Sequence, residues 1–205
     1  MKKLIFDFDG TLVASGPLIY ASLVNYTAKS HLTWSQLRDL PSTEVVSALG
    51  ISKLDLPKLI LKVRTEFKSK LFEQPIISGI AEALRELKQF GHSLHIVSSN
   101  SEENISEFLK IHGIRELFDD VTSFFTIFGK AHGIEKLLSK LRCELEEAIY
   151  IGDETRDIEA AKKVGIKSLA VTWGYNSERV LTTFRPDYIA KTPEEMVVIL
   201  CENKG

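Results

Sequence analysis

The feature that most constrains the fold is a series of short apolar runs, most of which are followed by a segment with helical spacing and a stop signal. The runs lie at residues 4–8, 94–97, 121–124, 148–151 and 169–171. Apolar runs of this length are typical of strands buried on both faces, and their alternation with helices indicates β-α units. The sequence therefore predicts an α/β fold built on a parallel sheet.

Capping residues mark several of the connecting helices. Ser101 is placed to begin a helix that Gly113 ends, and the helical stretch 157–164 is closed by Gly165. Near the end of the sequence, Thr192-Pro193-Glu194-Glu195 combines a capping Thr, a Pro at the first helical position and a Glu three residues after the cap. A final helix is expected to start there.

Length and charge limit the kind of partner. A chain of 205 residues fits one domain with room for an insertion. Its formal net charge is −2, with no basic stripe typical of nucleic-acid binding, so small solutes are the expected partners. Cys143 and Cys201 form neither a metal-ligand cluster nor a disulfide framework and are interpreted as packing residues. A monomer or a homodimer is consistent with this composition.

The sequence contains no candidate membrane segment. The first apolar stretch is interrupted by Asp7 and Asp9, too early for a signal peptide. No later window approaches the roughly 20 apolar residues of a membrane span. The expectation is a cytoplasmic protein without membrane association.

One connection is far longer than an ordinary loop. About 65 residues, 13–78, separate the first run from the helix that leads into the second. Residues 18–26 form one apolar helical stretch, and apolar positions between 56 and 71 trace a face of another, which Asp55 is placed to cap and Pro57 to begin. Because β-like alternation is not evident, we expect a small helical subdomain placed over the sheet.

Two carboxylates interrupt the first apolar run. Asp7 and Asp9 lie two residues apart, just ahead of Gly10, which permits a sharp turn. With a strand period of two they begin on the same side, at the carboxyl edge where open α/β sheets bind ligands. Burying such acids requires a partner cation or a functional reason. The alternative is that they only cap a turn.

A second acidic pair follows the fourth run. Asp153 and Asp157 are four residues apart, so they can share a face as the chain turns into a helix. Mg²⁺ is usually held by one or two carboxylates together with water and phosphate oxygens, and Asp7 with Asp153 could supply them. A helix cap with an acid in its first turn explains the pattern equally well.

Two further polar features follow strands. Ser98, Ser99 and Asn100 end the second run before the helix capped by Ser101, where hydroxyl and backbone N–H groups can hold a phosphate. Lys130 precedes a helical stretch and could neutralise phosphate charge. Taken singly, an ordinary turn and a solvated lysine explain these features as well.

These segments together resemble the haloacid dehalogenase-like (HAD) hydrolase superfamily, particularly its phosphoglycolate-phosphatase-like and β-phosphoglucomutase-like members. The resemblance covers residues 3–12 and 78–198. It implies a Rossmann-like parallel sheet core with an inserted helical cap of the C1 type. We expect residues 1–12 and 79–205 to form the core and residues 13–78 to form the cap.

The resemblance also implies a role for each motif residue. Asp7 corresponds to the nucleophile and a Mg²⁺ ligand, and Asp9 corresponds to the general acid/base, with its backbone carbonyl on the metal. Asp153 and Asp157 correspond to the acidic metal-binding motif, with direct or indirect ligation by Asp157 left open. The implied phosphate-binding residues are Gly10, Ser99, Asn100 and Lys130, and Lys130 is also implied to be catalytic.

The sequence departs from the family pattern in two places. Val13-Ala14-Ser15 stands where many members have Val-Asp-Ser, which weakens inference about the cap entrance. Ser98 and Ser99 are adjacent, and Ser99 is chosen because the family residue directly precedes the Asn-like position. Arg38, Lys62 and Arg64 of the insert are candidate anion contacts or exposed charges.

The expected activity is Mg²⁺-dependent hydrolysis of a small-molecule phosphate ester through an aspartyl phosphate. A sugar phosphomutase would use the same residues, and a non-catalytic phosphate-binding relative is the alternative outside enzymes. Dehalogenation is disfavoured by the presence of Asp9. Phosphonate cleavage would need an imine-forming cap lysine that the sequence does not identify.

Overall fold

A computed structural model describes residues 1–27, 32–52, 54, 58–59, 65, 70–124 and 129–202. No helix within these ranges is long and apolar enough to cross a membrane. The predicted insert helix between residues 56 and 71 falls for the most part outside the described residues, as do Lys62 and Arg64.

The core is a six-stranded parallel sheet. Its strands are β1 (Lys3–Phe6), β2 (Ser93–Ser98), β3 (Asp120–Ser123), β4 (Ala148–Gly152), β5 (Lys167–Val171) and β6 (Tyr188–Ala190). The spatial order β3-β2-β1-β4-β5-β6 confirms the predicted α/β sheet. The sequence analysis missed β6, because its three residues follow Pro186 closely and only one of them is buried.

The strand order reverses direction between β1 and β4. The chain runs outward from β1 through β2 to β3, then returns to β4 beside β1 and runs outward on the other side. Loops leaving β1 and β4 therefore diverge at a switch point, and the crevice between them is the usual ligand position in such sheets.

Helices cover both faces of the sheet. In the core they are α4 (Ile80–Gln89), α5 (Glu102–Ile111), α6 (Lys130–Leu141), α7 (Thr155–Val164), α8 (Glu178–Thr183) and α9 (Pro193–Glu202). Leu4 and Phe6 of β1 pack with α4, α5 and α9, whereas Ile5 packs with α6 and α7 on the other face. This alternation buries residues 4–6 of β1 on both sides and explains why all three are apolar.

The predicted helix caps are present. The Ser101 hydroxyl accepts a hydrogen bond from the Asn104 amide at the start of α5. Gly165 ends α7 in the left-handed conformation, and the Thr192 hydroxyl accepts from the Glu195 amide at the start of α9. These local signals were sufficient because each cap depends on neighbours within a few residues.

The insert contains helices α1 (Gly16–Thr27), α2 (Trp34–Arg38) and α3 (Ser42–Ala48). Helix α1 includes the predicted stretch 18–26, whereas α2 and α3 were not predicted because they are too short to show periodicity. Their apolar side chains form a separate cluster that contains Leu23, Leu37, Val45 and, from the core, Tyr175. The insert therefore has its own small apolar centre.

The chain leaves and re-enters the core through two paired segments. The Ala14 amide donates to the Pro75 carbonyl over 2.9 Å, and the Ile77 amide donates to the Leu12 carbonyl over 2.9 Å. Val13 pairs with Ile76 and belongs to the core cluster. The predicted boundaries at 12/13 and 78/79 stay predictions, and these contacts show that residues 13 and 75–77 pack with the core.

Candidate active site

Asp7 lies in the loop that leaves β1. The strand ends at Phe6, but the Asp7 amide still donates to the Ile151 carbonyl of β4 over 2.8 Å. One carboxylate oxygen, Oδ1, accepts from the Phe8 amide over 2.8 Å, and the residue is 3 % exposed. The side chain is therefore placed by the loop, and the period-two argument for Asp7 and Asp9 does not apply beyond Phe6.

Gly10 makes the turn that follows Asp9. Its φ of +76° is strained for any residue with a β-carbon, and an added β-carbon would overlap the Asp153 carboxylate. Its amide donates to the Val13 carbonyl over 2.9 Å and to the Ser15 hydroxyl over 3.1 Å. Gly10 thus allows the first and second acidic segments to approach, and its role in phosphate binding stays a prediction.

Lys130 is the first residue of α6 and points into the acidic cluster. Its ammonium lies 2.6 Å from Asp7 Oδ2 and also contacts Asp157 Oδ1. Burial alone would lower the pKa of Lys130, but the carboxylates of Asp157 and Asp7 raise it above its ordinary value. The two carboxylates therefore favour the charged form of the lysine in the site.

Asp153 is a fully buried carboxylate that accepts hydrogen bonds from neutral donors. Thr11 Oγ1 donates to Asp153 Oδ1 over 2.8 Å, and the Tyr175 amide donates to Oδ2 over 2.6 Å. Burial raises the pKa of Asp153 well above its ordinary value, and the charges of Glu154 and Asp157 add to that shift. An ionised Asp153 is therefore stable only with a cation beside it.

Asp157 lies in the first turn of α7 and folds back over β4. Its Oδ2 accepts from the Glu154 amide over 2.8 Å, which completes a capping box. An added β-carbon on Gly152 would collide with the Asp157 carboxylate, so the glycine permits this close approach. The predicted pair Asp153 and Asp157 is thus held by the same turn.

Three of the predicted acids fit a divalent metal ion. Asp7, Asp153 and Asp157 are all buried, and each offers a carboxylate oxygen within 4.8 Å of the others. Hard oxygen donors are the ligands that Mg²⁺ prefers. The uncompensated burial of Asp153 is a second observation in favour of a cation, so the residues present fit the predicted Mg²⁺.

Asp9 lies beside this cluster with an unsatisfied oxygen. Its Oδ1 is buried and has no hydrogen-bond partner in the part of the chain that the structure describes. Burial raises the pKa of Asp9 to about 7, and the Asp7 charge contributes, whereas Arg156 opposes the shift. A carboxyl group with this pKa can both hold and release a proton near neutral pH.

The serines after β2 have different surroundings. Ser98 is buried, and its hydroxyl accepts from the Asn100 amide over 3.2 Å, while Ser99 is half-buried. Asn100 Oδ1 accepts from the Ser101 amide over 2.9 Å and from Asn104 Nδ2 over 3.1 Å. Ser98 thus stabilises the turn, which favours Ser99 over Ser98 as the phosphate contact. The assignment of Ser99 and Asn100 to phosphate binding stays a prediction.

Sequence reasoning missed several residues of the site. Arg156 Nη2 donates to Glu154 Oε1 over 2.5 Å, and both residues lie between Asp153 and Asp157 in the sequence. Their position inside the motif was a usable signal. Thr11, Tyr175 and Asn176 also contact the acidic segments, but nothing in their sequence spacing connects them to Asp153.

Arg38 has a role that neither sequence interpretation anticipated. Its guanidinium donates to the Thr172 carbonyl over 2.9 Å and to the Tyr175 carbonyl over 3.2 Å. The side chain is therefore neither a fully exposed charge nor a free anion contact. It joins the insert to a loop of the core, because the fold brings α2 beside the end of β5.

A doubly wound parallel sheet with clustered carboxylates and a buried lysine at its switch point indicates an α/β enzyme. The model of the haloacid dehalogenase-like hydrolase family matches residues 4–171. The chain belongs to this family, in its phosphoglycolate-phosphatase-like branch. This confirms the predicted superfamily and core fold.

Individual relatives resemble the whole chain. A phosphoglycolate phosphatase of Synechococcus elongatus is 34 % identical over 203 residues, which cover 96 % of each chain. A pyrophosphatase PpaX of Bacillus velezensis is 28 % identical over 97 % of this chain and 96 % of its own. These relatives confirm the prediction that the chain is an enzyme, a hydrolase of the phosphatase class.

Solved structures agree with this assignment. A predicted phosphatase from Clostridium acetobutylicum superposes with a TM-score of 0.83 at 25 % identity, covering 98 % of each chain. A haloacid dehalogenase-like hydrolase from Streptococcus pneumoniae gives 0.81 at 26 % identity, also over 98 % of each chain. The fold therefore matches that of the family over nearly its whole length.

Proposed function

We propose that this enzyme hydrolyses a small-molecule phosphate monoester with Mg²⁺ as cofactor, through a phosphoryl group carried on Asp7. The observation that carries the proposal is the cluster of Asp7, Asp153 and Asp157 around Lys130 at the switch point of the sheet. A site this rich in carboxylates repels phosphate unless cations offset its charge. Lys130 supplies one positive charge against these carboxylates, and the predicted Mg²⁺ would supply two more.

The residues divide the reaction into two transfers. Asp7 attacks phosphorus, the bond from phosphorus to the leaving oxygen breaks, and Asp9 gives its proton to that oxygen. Asp9 then takes a proton from water, the water oxygen attacks phosphorus, and Asp7 is released. The raised pKa of Asp9, about 7, supports this exchange of roles, and a cation bound nearby would lower that pKa.

The remaining predicted residues position and neutralise the phosphoryl group. Asp7, Asp153 and Asp157 would hold Mg²⁺, which would offset charge on phosphate oxygens. Lys130 holds Asp7 in place through its 2.6 Å contact. Ser99 and Asn100 directly follow β2, the strand paired with β1, so they are expected to donate to the phosphate.

The first substrate to test is 2-phosphoglycolate, because the relative with 34 % identity carries the name phosphoglycolate phosphatase. Pyrophosphate is the second, since the relative with 28 % identity is named a pyrophosphatase. We also propose that the insert determines which substrate is accepted. A cytoplasmic monomer or homodimer without nucleic-acid or membrane partners is proposed as well.

The test is a screen of orthophosphate release from a panel of metabolite phosphates, including 2-phosphoglycolate, pyrophosphate and sugar phosphates, with Mg²⁺ or with excess chelator. Steady Mg²⁺-dependent release from one small ester is the expected result. Formation of an isomeric phosphate in place of orthophosphate would identify a phosphomutase. Binding without turnover of any member would favour the non-catalytic alternative.

A further inference from the structure

One loop of the core contacts both the insert and the acidic cluster. It consists of residues 172–177, between β5 and α8, and is called the seat loop below. The Tyr175 ring packs in the apolar cluster of the insert, with its centroid 5.1 Å from that of Trp34. The amide of the same residue donates to Asp153 Oδ2. The seat loop therefore lies between two parts of the enzyme that are assigned different tasks.

Asn176 occupies the centre of this arrangement and is fully buried. Its Oδ1 accepts from the Thr155 amide over 2.8 Å and from the Ser42 hydroxyl over 3.0 Å. Its Nδ2 donates to the Leu40 carbonyl over 2.9 Å and to the Arg38 carbonyl over 3.3 Å. Both acceptor positions and both donor hydrogens of the carboxamide are used, three of them toward the insert and one toward α7.

The backbone of Asn176 extends the connection to the acids. Its amide donates to the Asp153 carbonyl over 3.1 Å. Thr155, which Asn176 Oδ1 holds, is the first residue of α7 and lies between Asp153 and Asp157. The amide at this position has no partner within the helix, so the Asn176 side chain holds the turn together with the capping box of Glu154 and Asp157.

We propose that Asn176 is a positioning residue that makes the metal-binding geometry of Asp153 and Asp157 depend on docking of insert residues 38–42 against the seat loop. The inference rests on the proposed function for the identity of the metal ligands. Asn176 itself is not proposed to contact metal or substrate.

The physical argument is that the insert fixes the orientation of the Asn176 carboxamide. If residues 38–42 moved away, Asn176 would lose three of its four side-chain hydrogen bonds and would be uncovered on the insert side. Its carboxamide would then re-orient toward other partners, and the Thr155 amide would lose its acceptor. The turn that sets the spacing of Asp153 and Asp157 would be released, which weakens any metal bound by both.

The test compares two variants on either side of the contact between insert residues 38–42 and the seat loop. Asn176→Ala removes the carboxamide from the core side. Ser42→Ala removes a hydroxyl on the insert side that donates to Asn176 Oδ1 and accepts from Thr155 Oγ1. It keeps the hydrogen bond from the Ser42 amide to Thr155 Oγ1. Arg179→Ala is the control, because its 3.2 Å ion pair with Asp39 crosses the same boundary at exposed positions without touching Asn176.

The readout is the Mg²⁺ concentration that half-saturates the rise in unfolding temperature, measured on the full chain without substrate. Loss of a residue that orients a metal ligand typically costs roughly 10- to 100-fold in metal affinity. We expect Asn176→Ala to raise the half-saturating concentration by about tenfold and Ser42→Ala to raise it several-fold in the same direction. The double variant should not exceed the effect of Asn176→Ala by much, since both substitutions act on the same set of hydrogen bonds.

Hydrogen exchange of the Ser177 amide, which donates to the Arg38 carbonyl over 2.9 Å, reports separately whether the insert is docked. Faster exchange in both variants with an unchanged Mg²⁺ requirement would show that the contact between residues 38–42 and the seat loop does not affect the metal site, which would overturn the inference. An effect of Asn176→Ala but none of Ser42→Ala would overturn the dependence on the insert. If Asn176→Ala fails to fold, Ser42→Ala alone decides by the same criterion.

Failure of the proposed metal site gives a different result. If Mg²⁺ does not raise the unfolding temperature of the unaltered enzyme, the metal assignment falls and the inference falls with it. If Mg²⁺ stabilises the unaltered enzyme and both variants equally, only the inference is overturned.

Discussion

Lys130 Nζ lies 2.6 Å from Asp7 Oδ2, although 123 residues separate the two in the chain. The same ammonium contacts Asp157 at the start of α7, so one buried cation joins the loops that leave β1 and β4. These segments diverge at the switch point of the sheet, and the Lys130 side chain from α6 reaches both. Structural stability and the proposed chemistry therefore depend on the same contact.

Removing that cation should destabilise the fold in a way that Mg²⁺ relieves. Lys130→Met leaves Asp7 and Asp157 buried together, and breaking a buried pair costs about 3–5 kcal/mol. Urea unfolding should show that loss without Mg²⁺ and a smaller loss with it. Lys136→Met, at an exposed position of the same helix, should change the free energy of unfolding by no more than about 0.5 kcal/mol. Equal losses for both variants would contradict the proposed ion pair.

The two acids of the first loop should fail in different ways. Asp7→Asn removes the proposed nucleophile, so no phosphoryl-enzyme should form with any substrate. Asp9→Asn keeps the nucleophile but loses the proton carrier, at a cost of roughly 10² to 10⁴ in turnover of esters with poor leaving groups. With an activated aryl phosphate and Mg²⁺, intact-protein mass should show a phosphate adduct on the Asp9 variant only. An adduct on the Asp7 variant would mean that the nucleophile is wrongly named.

Asp153→Asn should separate metal binding from folding. The amide is nearly the same size and carries no charge, so the metal-free protein should be at least as stable as the unaltered one, because a buried uncompensated carboxylate has been removed. Addition of Mg²⁺ should then raise the unfolding temperature little, and activity should require more metal. A variant that keeps the full Mg²⁺-dependent stabilisation would exclude Asp153 as a ligand.

Deletion of the insert should leave a folded core with altered substrate choice. The Ala14 amide and the Pro75 carbonyl are 2.9 Å apart, so a short linker from Ser15 to Gln74 can close the gap at small entropic cost. We expect the ranking of phosphate esters to change and orthophosphate release to slow, because the insert no longer excludes water. A folded product with an identical ranking would show that specificity lies in the core.

His95 should make the fold less stable as the pH falls. Burial lowers the pKa of His95, although Asp119 and Asp120 oppose the shift, so the folded state keeps the ring neutral while the unfolded state takes a proton near pH 6.5. Below that pH the unfolded state binds more protons, and the free energy of unfolding decreases until the folded ring also titrates. The slope contributed by one group is at most about 1.4 kcal/mol per pH unit.

The measurement is urea unfolding between pH 5 and pH 7. His95→Phe should reduce the slope in this window, whereas His132→Asn, at an exposed position, should leave it unchanged. His92 has a lowered pKa as well and accounts for part of the remaining slope. An unchanged slope in the His95 variant would show that another group governs stability in this range.

The sequence by itself determined the parts of this protein that depend on near neighbours. Apolar runs predicted five of the six parallel strands, and Ser101, Gly165 and Thr192 marked helix ends, because strand burial and capping are set within a few residues. It also placed Asp7, Asp153 and Lys130 at strand or helix ends, where a parallel sheet collects them at one edge.

Only the tertiary structure decided which of these groups meet. That Lys130 contacts both Asp7 and Asp157, and that Asn176 joins Ser42 to Thr155, follows from where the elements lie in space. Neither contact leaves a periodic signal in the sequence, since the partners are separated by 21 residues or more. Helix α2 begins at a local capping box of Thr33 and Gln36, but five to seven residues are too few for local signals to fix a helix, so α2 and α3 also depend on packing in the cluster that contains Tyr175.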